Sequence, residues 1–205
     1  MGFQLFGYIL TIAGLCGLLI GTFTNEWKIS GHDNDKSVIL VKYEGLWMQC
    51  SVDSSSHVRC TNFNSLLHQT FEIRMSRVFM IISIVLSSFA VLVAVSGLRC
   101  TKFLDDNETM KDRTAFFGGI LSVCGGLFAL GITSWFTYLI VDDFYQKDDD
   151  KDKYVIGKSL IGAFVASLLC LFGGVFLCTC SVKSLRSNNK FSQHLVSKNP
   201  EKDYV

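Results

Sequence analysis

Four stretches of the chain, residues 1–25, 78–98, 114–141 and 159–182, contain no Asp, Glu, Lys or Arg. Each exceeds the roughly 20 residues that an α-helix needs to span a hydrocarbon layer about 30 Å thick. The charged residues fall between and after these blocks. A water-soluble domain interleaves apolar and polar positions along amphipathic elements instead. The segregation predicts a membrane α-helical fold, with helices at about 3–24, 78–98, 114–141 and 159–182 in one domain over 1–182. Residues 183–205 are then a tail. A cleaved signal peptide is the alternative for the first block. It lacks a basic leader, since the first lysine is Lys28, and its apolar run is too long, so we expect a retained helix.

Small residues recur inside these blocks. Gly17 and Gly21 are four apart, as are Gly162 and Ala166, and Gly118, Gly119, Gly125 and Gly126 line the third block. Small residues let helix backbones approach closely where lipid supplies no hydrophobic drive. Packing within one bundle is the simpler expectation, and a face that joins copies is the sharper one.

Two features set the expected sidedness. Nine Lys and Arg residues fall in 99–113 and 183–205, whereas ten are spread over nearly twice that length in 26–77 and 142–158. The denser basic segments are expected in the cytoplasm. Cysteine agrees. Cys50 and Cys60 lie in the long first loop, where an oxidising exterior would let them form a disulfide. Cys100, Cys178 and Cys180 follow the ends of the second and fourth blocks, as thiols at the membrane edge open to palmitoylation. Cys16, Cys124 and Cys170 are expected as inert packing residues within helices. Both termini are therefore expected in the cytoplasm of a multi-pass plasma-membrane protein.

The first loop reads as strands. SVILVKY (37–43) is β-branched and aromatic, and GLWMQC and HVRC follow on either side of the polar turn SVDSSS. A Cys50–Cys60 bridge would staple two adjacent antiparallel strands. Closing so short a ring is worth roughly 2–3 kcal/mol by chain entropy. Trp27 is expected where the first helix leaves the membrane, because indole prefers that interface. Trp47 is expected beneath the sheet.

Trp27, Gly45-Leu46-Trp47, Cys50, Cys60 and Arg77 together resemble the claudin signature W…GLW-x-x-C…C with its following arginine. The spacing is shared with the peripheral-myelin-protein group and with calcium-channel gamma subunits, while the ending Lys202-Asp203-Tyr204-Val205 points to claudins proper. The resemblance implies a left-handed four-helix bundle carrying a five-stranded extracellular antiparallel sheet, four strands coming from the first loop. It implies polymerisation with other claudins in cis and adhesion in trans at the tight junction. By resemblance, Leu66 in a short outer helix around 64–69 would plug a pocket made by Phe144, Tyr145 and Ile156 of a neighbouring copy. Those residues folding into their own domain is the alternative. Asp203, Tyr204 and Val205 would bind PDZ scaffolds of the zonula occludens type.

The positions that set ion selectivity in that family are neutral here, namely Ser51, Thr61 and Asn64, and Asp53 and Arg59 oppose each other. From 28 to 74 the acids and bases cancel, five of each. A sealing role is therefore expected over a paracellular ion channel, with a modulatory channel subunit as a third possibility. The second loop departs from the family: its run QKDDDKDK (146–153) is acidic and lacks the usual proline. Asp148, Asp150 and Asp152 open like an EF-hand, but Lys153 and Ser159 stand where the turn glycine and the bidentate glutamate belong. His32, His57 and His68 have no metal-ligand spacing. No nucleophile, paired-carboxylate or phosphate-loop pattern is present. No enzyme activity, cofactor, metal or nucleic-acid partner is expected, only protein partners and membrane lipid. The polar stretch 187–200 is expected to be disordered.

The sequon Asn107-Glu108-Thr109 lies in the segment expected in the cytoplasm. Asn107 should stay unglycosylated in mammalian cells. A glycosidase-sensitive mass increase that disappears in Asn107→Gln would invert the topology.

Overall fold

The computed structural model describes residues 2–34, 38–52, 57–62, 70–97, 108–146 and 154–198. Four helices, α1 (Gly2–Phe23), α2 (Phe71–Gly97), α3 (Glu108–Gln146) and α4 (Lys158–Lys198), form an antiparallel bundle. Each is long and apolar enough to cross a membrane. Five strands, β1 (Lys28–Asn34), β2 (Val38–Glu44), β3 (Met48–Val52), β4 (Val58–Asn62) and β5 (Tyr154–Ile156), make one antiparallel sheet in the order β4-β3-β2-β1-β5. Four strands come from the segment between α1 and α2, and the fifth comes from the connection between α3 and α4. The sheet therefore sits at one end of the bundle. Large apolar side chains such as Phe23, Phe89, Leu92, Phe117 and Phe172 are more than half exposed on the helices, as a lipid-facing surface requires.

The helices run past the charge-free stretches that announced them. α2 begins at Phe71, so Glu72, Arg74 and Arg77 lie in its first two turns. Arg77 thus lies inside the helix, in its second turn. α3 has 39 residues, which at 1.5 Å per residue reaches about 58 Å, nearly twice the hydrocarbon thickness. Hydropathy marks where lipid begins and ends, but a helix continues as long as its residues and contacts permit. The tail corrects the expectation of disorder in the same way, since α4 continues to Lys198. No glycine or proline interrupts residues 183–198. Ser184 also donates a hydrogen bond to Asp112 of α3 at 2.6 Å, which pins the extension to the bundle.

Small residues decide which helices touch. Along α1, Gly14 lies on Cys170, Gly17 on Ala166 and Gly21 on Ala163 of α4. On α3, Gly119 and Gly126 meet Cys178 and Leu171 of α4, while Gly118 and Gly125 meet Ala94 and Ser87 of α2. Serine hydroxyls bond across the same seams, Ser83 to the Gly125 carbonyl at 2.7 Å and Ser122 to the Cys170 carbonyl at 3.0 Å. Gly131 and Gly162 are different, because an added Cβ at either would meet nothing within 4 Å. The Gly162–Ala166 pair therefore splits: Ala166 packs on α1 and Gly162 does not.

A Cβ at Gly119 would stand 2.6 Å from the Cys178 sulfur and 2.9 Å from the Gly174 carbonyl oxygen. Gly119→Ala is expected to destabilise the bundle by about 1–3 kcal/mol through overpacking. Gly131→Ala should be neutral or slightly stabilising, because alanine favours a helix by up to about 1 kcal/mol over glycine. Thermal unfolding of the two variants in detergent micelles checks the contrast.

Candidate functional site

The junction between bundle and sheet is built from the residues that carry the sequence signature. An α-helix leaves its last four carbonyls without intrahelical partners. In α1 these include Ile20, Gly21 and Thr22. The Thr24 backbone N–H donates to Ile20 at 3.0 Å. The Trp27 indole N–H donates to Gly21 at 2.8 Å, and the Trp47 indole N–H donates to Thr22 at 3.0 Å. Both tryptophans thus cap the helix that precedes them. Their rings supply apolar cover: Trp27 meets Phe136 edge-on at 5.2 Å, and Trp47 stacks on Phe23 at 6.5 Å. Trp27 is only 1% exposed and belongs to the core under the sheet, just past the end of α1.

Gly45, Leu46 and Trp47 form the turn between β2 and β3, closed by the Gly45 N–H on the Met48 carbonyl at 3.0 Å. The strand expected over GLWMQC therefore starts only at Met48, and that expected over HVRC starts at Val58. Gly45 must be glycine because a Cβ there would lie 2.4 Å from the Asn25 backbone. Leu46 is fully buried, and its carbonyl accepts a bond from the Arg77 Nε at 2.5 Å. The Arg77 guanidinium also lies 5.2 Å over the Trp47 ring. One buried cation from α2 thereby fixes the turn that carries the second tryptophan.

The other edge of the junction escaped sequence reasoning. Gly157 donates its N–H to the Trp27 carbonyl at 3.0 Å, and the Ser159 N–H reaches the Glu26 carbonyl at 3.1 Å. A Cβ on Gly157 would fall 1.8 Å from the Glu26 oxygen, so the start of α4 is seated directly on the exit of α1. The signal was present, since Gly157 is the sole glycine in residues 142–158. Lys28 ties β1 to both flanks through an ion pair with Glu72 at 3.3 Å and stacking over Phe136 and Tyr154.

Cys50 and Cys60 are direct cross-strand partners and form the disulfide, with Cα atoms 4.0 Å apart. On the opposite face, Lys42, Ser51 and Arg59 make one row across β2, β3 and β4, and Glu44, Gln49 and Thr61 make the next. Lys42 pairs with Glu44 at 3.1 Å. Arg59 is exposed and forms no ion pair among the described residues.

Other expected site residues are scattered. Phe144 and Tyr145 end α3, exposed, with their rings edge-to-face at 6.0 Å. Ile156 lies half-buried in β5 and borders a groove of about 330 Å³ with Ser134, Thr137, Leu160 and Phe164, whose walls do not include the aromatic pair. Cys178 lies within α4 and turns onto Gly119 in the α3–α4 seam, while Cys180 is half-buried nearer the helix end. Of the three cysteines expected to be buried in helices, Cys170 is buried, Cys124 is half-buried and Cys16 is exposed on α1. Asp53, Asn64, Leu66, Cys100, Asp203, Tyr204 and Val205 lie outside the described residues, as does the acidic run 147–153. Among the described residues no group of His, Cys, Asp and Glu could hold a metal ion.

The family model described as PMP-22/EMP/MP20/Claudin matches residues 1–177. Claudin-1 of Mus musculus is 36% identical over 186 residues, covering 89% of this chain and 88% of its own. Claudin-19 of Homo sapiens is 33% identical over 190 residues, covering 92% and 85%. Claudin-2 of Homo sapiens is 35% identical over 191 residues, covering 92% and 83%.

Removing the Arg77 side chain would leave the buried Leu46 carbonyl without its donor. Arg77→Met is expected to cost about 1.5–3 kcal/mol, the range for hydrogen bonds from charged groups. Arg77→Lys should recover only part, because a point charge cannot both stack on Trp47 and reach Leu46. Melting of the purified variants in detergent gives the order.

Proposed function

The chain belongs to the PMP-22/EMP/MP20/claudin family, and from that membership we propose that it is a structural protein of the tight junction. It would polymerise in cis with other claudins, adhere in trans to those of the facing cell, and seal the space between cells. Both termini would be cytoplasmic, which puts the sheet outside. The observation that carries this proposal is the family match over the segment that forms the bundle and sheet. A sheet anchored at three points on a membrane bundle can hold a fixed orientation towards a neighbour. Exposed Phe144 and Tyr145 supply apolar area for lateral contact, with Leu66 as the inserting residue. Neutral Ser51 and Thr61 and the paired Lys42 and Glu44 support sealing over charge-selective conduction, since little single-sign field is available to concentrate ions.

A paracellular channel is the second function considered, and Arg59 is the observation that favours it. An exposed cation beside Ser51 on the sheet could favour anions. Expression in a junction-free cell line and in a monolayer tests both. Strands should appear by freeze-fracture and vanish in Leu66→Glu, whose charge cannot be buried cheaply. Transepithelial resistance should rise, with dilution potentials close to those of the parent line. A large chloride preference abolished by Arg59→Ser would replace the barrier with the channel. Surface protein without strands would reject both.

The tail is proposed to bind PDZ scaffolds of the zonula occludens type. Such domains add a peptide as a strand, hold its terminal carboxylate in backbone amides and take its last apolar side chain in a pocket. Val205 would fill that role, with Tyr204 and Asp203 extending the strand. Cys180, and Cys100 with it, remain the proposed palmitoylation positions. Deleting Tyr204 and Val205 should abolish scaffold pull-down while leaving strands. Undiminished capture by the truncated tail would reject the site.

A further inference from the structure

At the end of the bundle away from the sheet, α1 and α4 part and leave a cleft of about 370 Å³. The two helices touch backbone to backbone at Gly7, where a Cβ would stand 3.3 Å from the Gly173 oxygen. One turn further out the cleft opens between Phe3 and Gln4 of α1 and Phe176, Thr179 and Lys183 of α4. We propose that it binds the phosphodiester headgroup of one glycerophospholipid from the adjoining leaflet, with the acyl chains descending along Phe3 and Phe176.

Three kinds of donor converge there. The first is Gln4, which is 8% exposed, lines the cleft, and makes no hydrogen bond among the described residues. An amide in such a place is costly unless something pairs with it. The second is the start of α1, whose first-turn N–H groups have no intrahelical partner and carry the positive end of the helix dipole. The third is Lys183, exposed on the rim and in no ion pair among the described residues. A lysine at the end of a membrane span lays its stem on apolar surface and its ammonium among headgroups. One ammonium and a partial helix charge match the single negative charge of a phosphodiester.

Of the other lining side chains, Cys180 contributes a half-buried free thiol, a weak donor, and the two hydroxyls are occupied. Thr179 donates to the Phe176 carbonyl at 3.0 Å, and Ser184 donates to Asp112. The Asp112 carboxylate, on α3, is fully buried and faces Ser184 of α4, so it is not presented to a bound headgroup. The apolar walls argue for a lipid over a free anion. Phe3 is 74% exposed, and Phe176 is held in place by Phe6, whose ring meets it edge-on at 5.9 Å.

Native mass spectrometry of the delipidated full chain in detergent tests the site, with dioleoyl phosphatidylglycerol, dioleoylglycerol and inorganic phosphate as probes. A one-to-one phosphatidylglycerol adduct is expected. Lys183→Gln should weaken it about fivefold, the worth of one lysine near an anionic surface. Gln4→Leu should weaken it about as much, the worth of one typical hydrogen bond. Lys158→Gln, at the sheet end of α4, should leave it unchanged. Dioleoylglycerol as effective as phosphatidylglycerol would reduce the cleft to an acyl groove and overturn the proposal. Phosphate bound equally well would make it a free-anion site, with the same consequence. If Gln4→Leu melts early, exposed Lys183→Gln decides, and an undiminished adduct in that variant rejects the headgroup contact.

Discussion

The structure depends on how α1 ends. Three carbonyls at its C-terminus need partners beneath the sheet that covers them, and a buried polar group left unsatisfied costs about 1–3 kcal/mol. Thr24 takes one, and two indole N–H groups take the next two. Each indole lies on a different part of the sheet layer, Trp27 on the approach to β1 and Trp47 on the turn between β2 and β3. Satisfying the helix end therefore also positions the sheet. Arg77 then locks the second indole from α2, and Gly157 brings in α4. All four helices meet the sheet here, because Phe136 of α3 packs beneath Trp27.

This arrangement explains why a five-stranded sheet with so little core of its own can be ordered. Its two ends differ. β1 and β5 rest on Lys28, Tyr154 and Ile156, which pack into the bundle top. β4 is exposed along its whole length and is held to β3 by the ladder and by the Cys50–Cys60 bond. The covalent staple stands at the strand with the least burial, where loss of chain entropy is least offset by apolar contact. Among the described residues no strand pairs with the outer edge of β4, and an edge of that kind offers backbone groups to another chain.

Within the bundle, specificity comes from small side chains and hydroxyls. Leucine and phenylalanine are as well solvated by lipid as by protein, so they do not choose helix partners. Gly14, Gly17 and Gly21 do, by admitting Cys170, Ala166 and Ala163. Ser83 and Ser122 add directional bonds that fix the register of those contacts.

The sequence by itself determined four membrane helices, three of the four strands of the first loop and the cysteine pair within it, whereas β1 entered only through the resemblance. Those features rest on local rules: apolar length against bilayer thickness, alternation, and the spacing of two thiols in one loop. The resemblance carried by Trp27, Gly45, Leu46, Trp47 and Arg77 named the right residues without giving their work. Only the tertiary structure decided that both tryptophans cap α1, that Arg77 holds the Leu46 carbonyl, that Gly45 makes room for Asn25, and that Gly157 seats α4 on Glu26. It also decided that Gly162 faces outward, that Cys178 turns into a helix seam and that α4 continues into the tail. Each of these depends on partners distant along the chain. Hydropathy and spacing record what a residue tolerates, whereas a hydrogen-bond partner is fixed only when the elements carrying both atoms have packed.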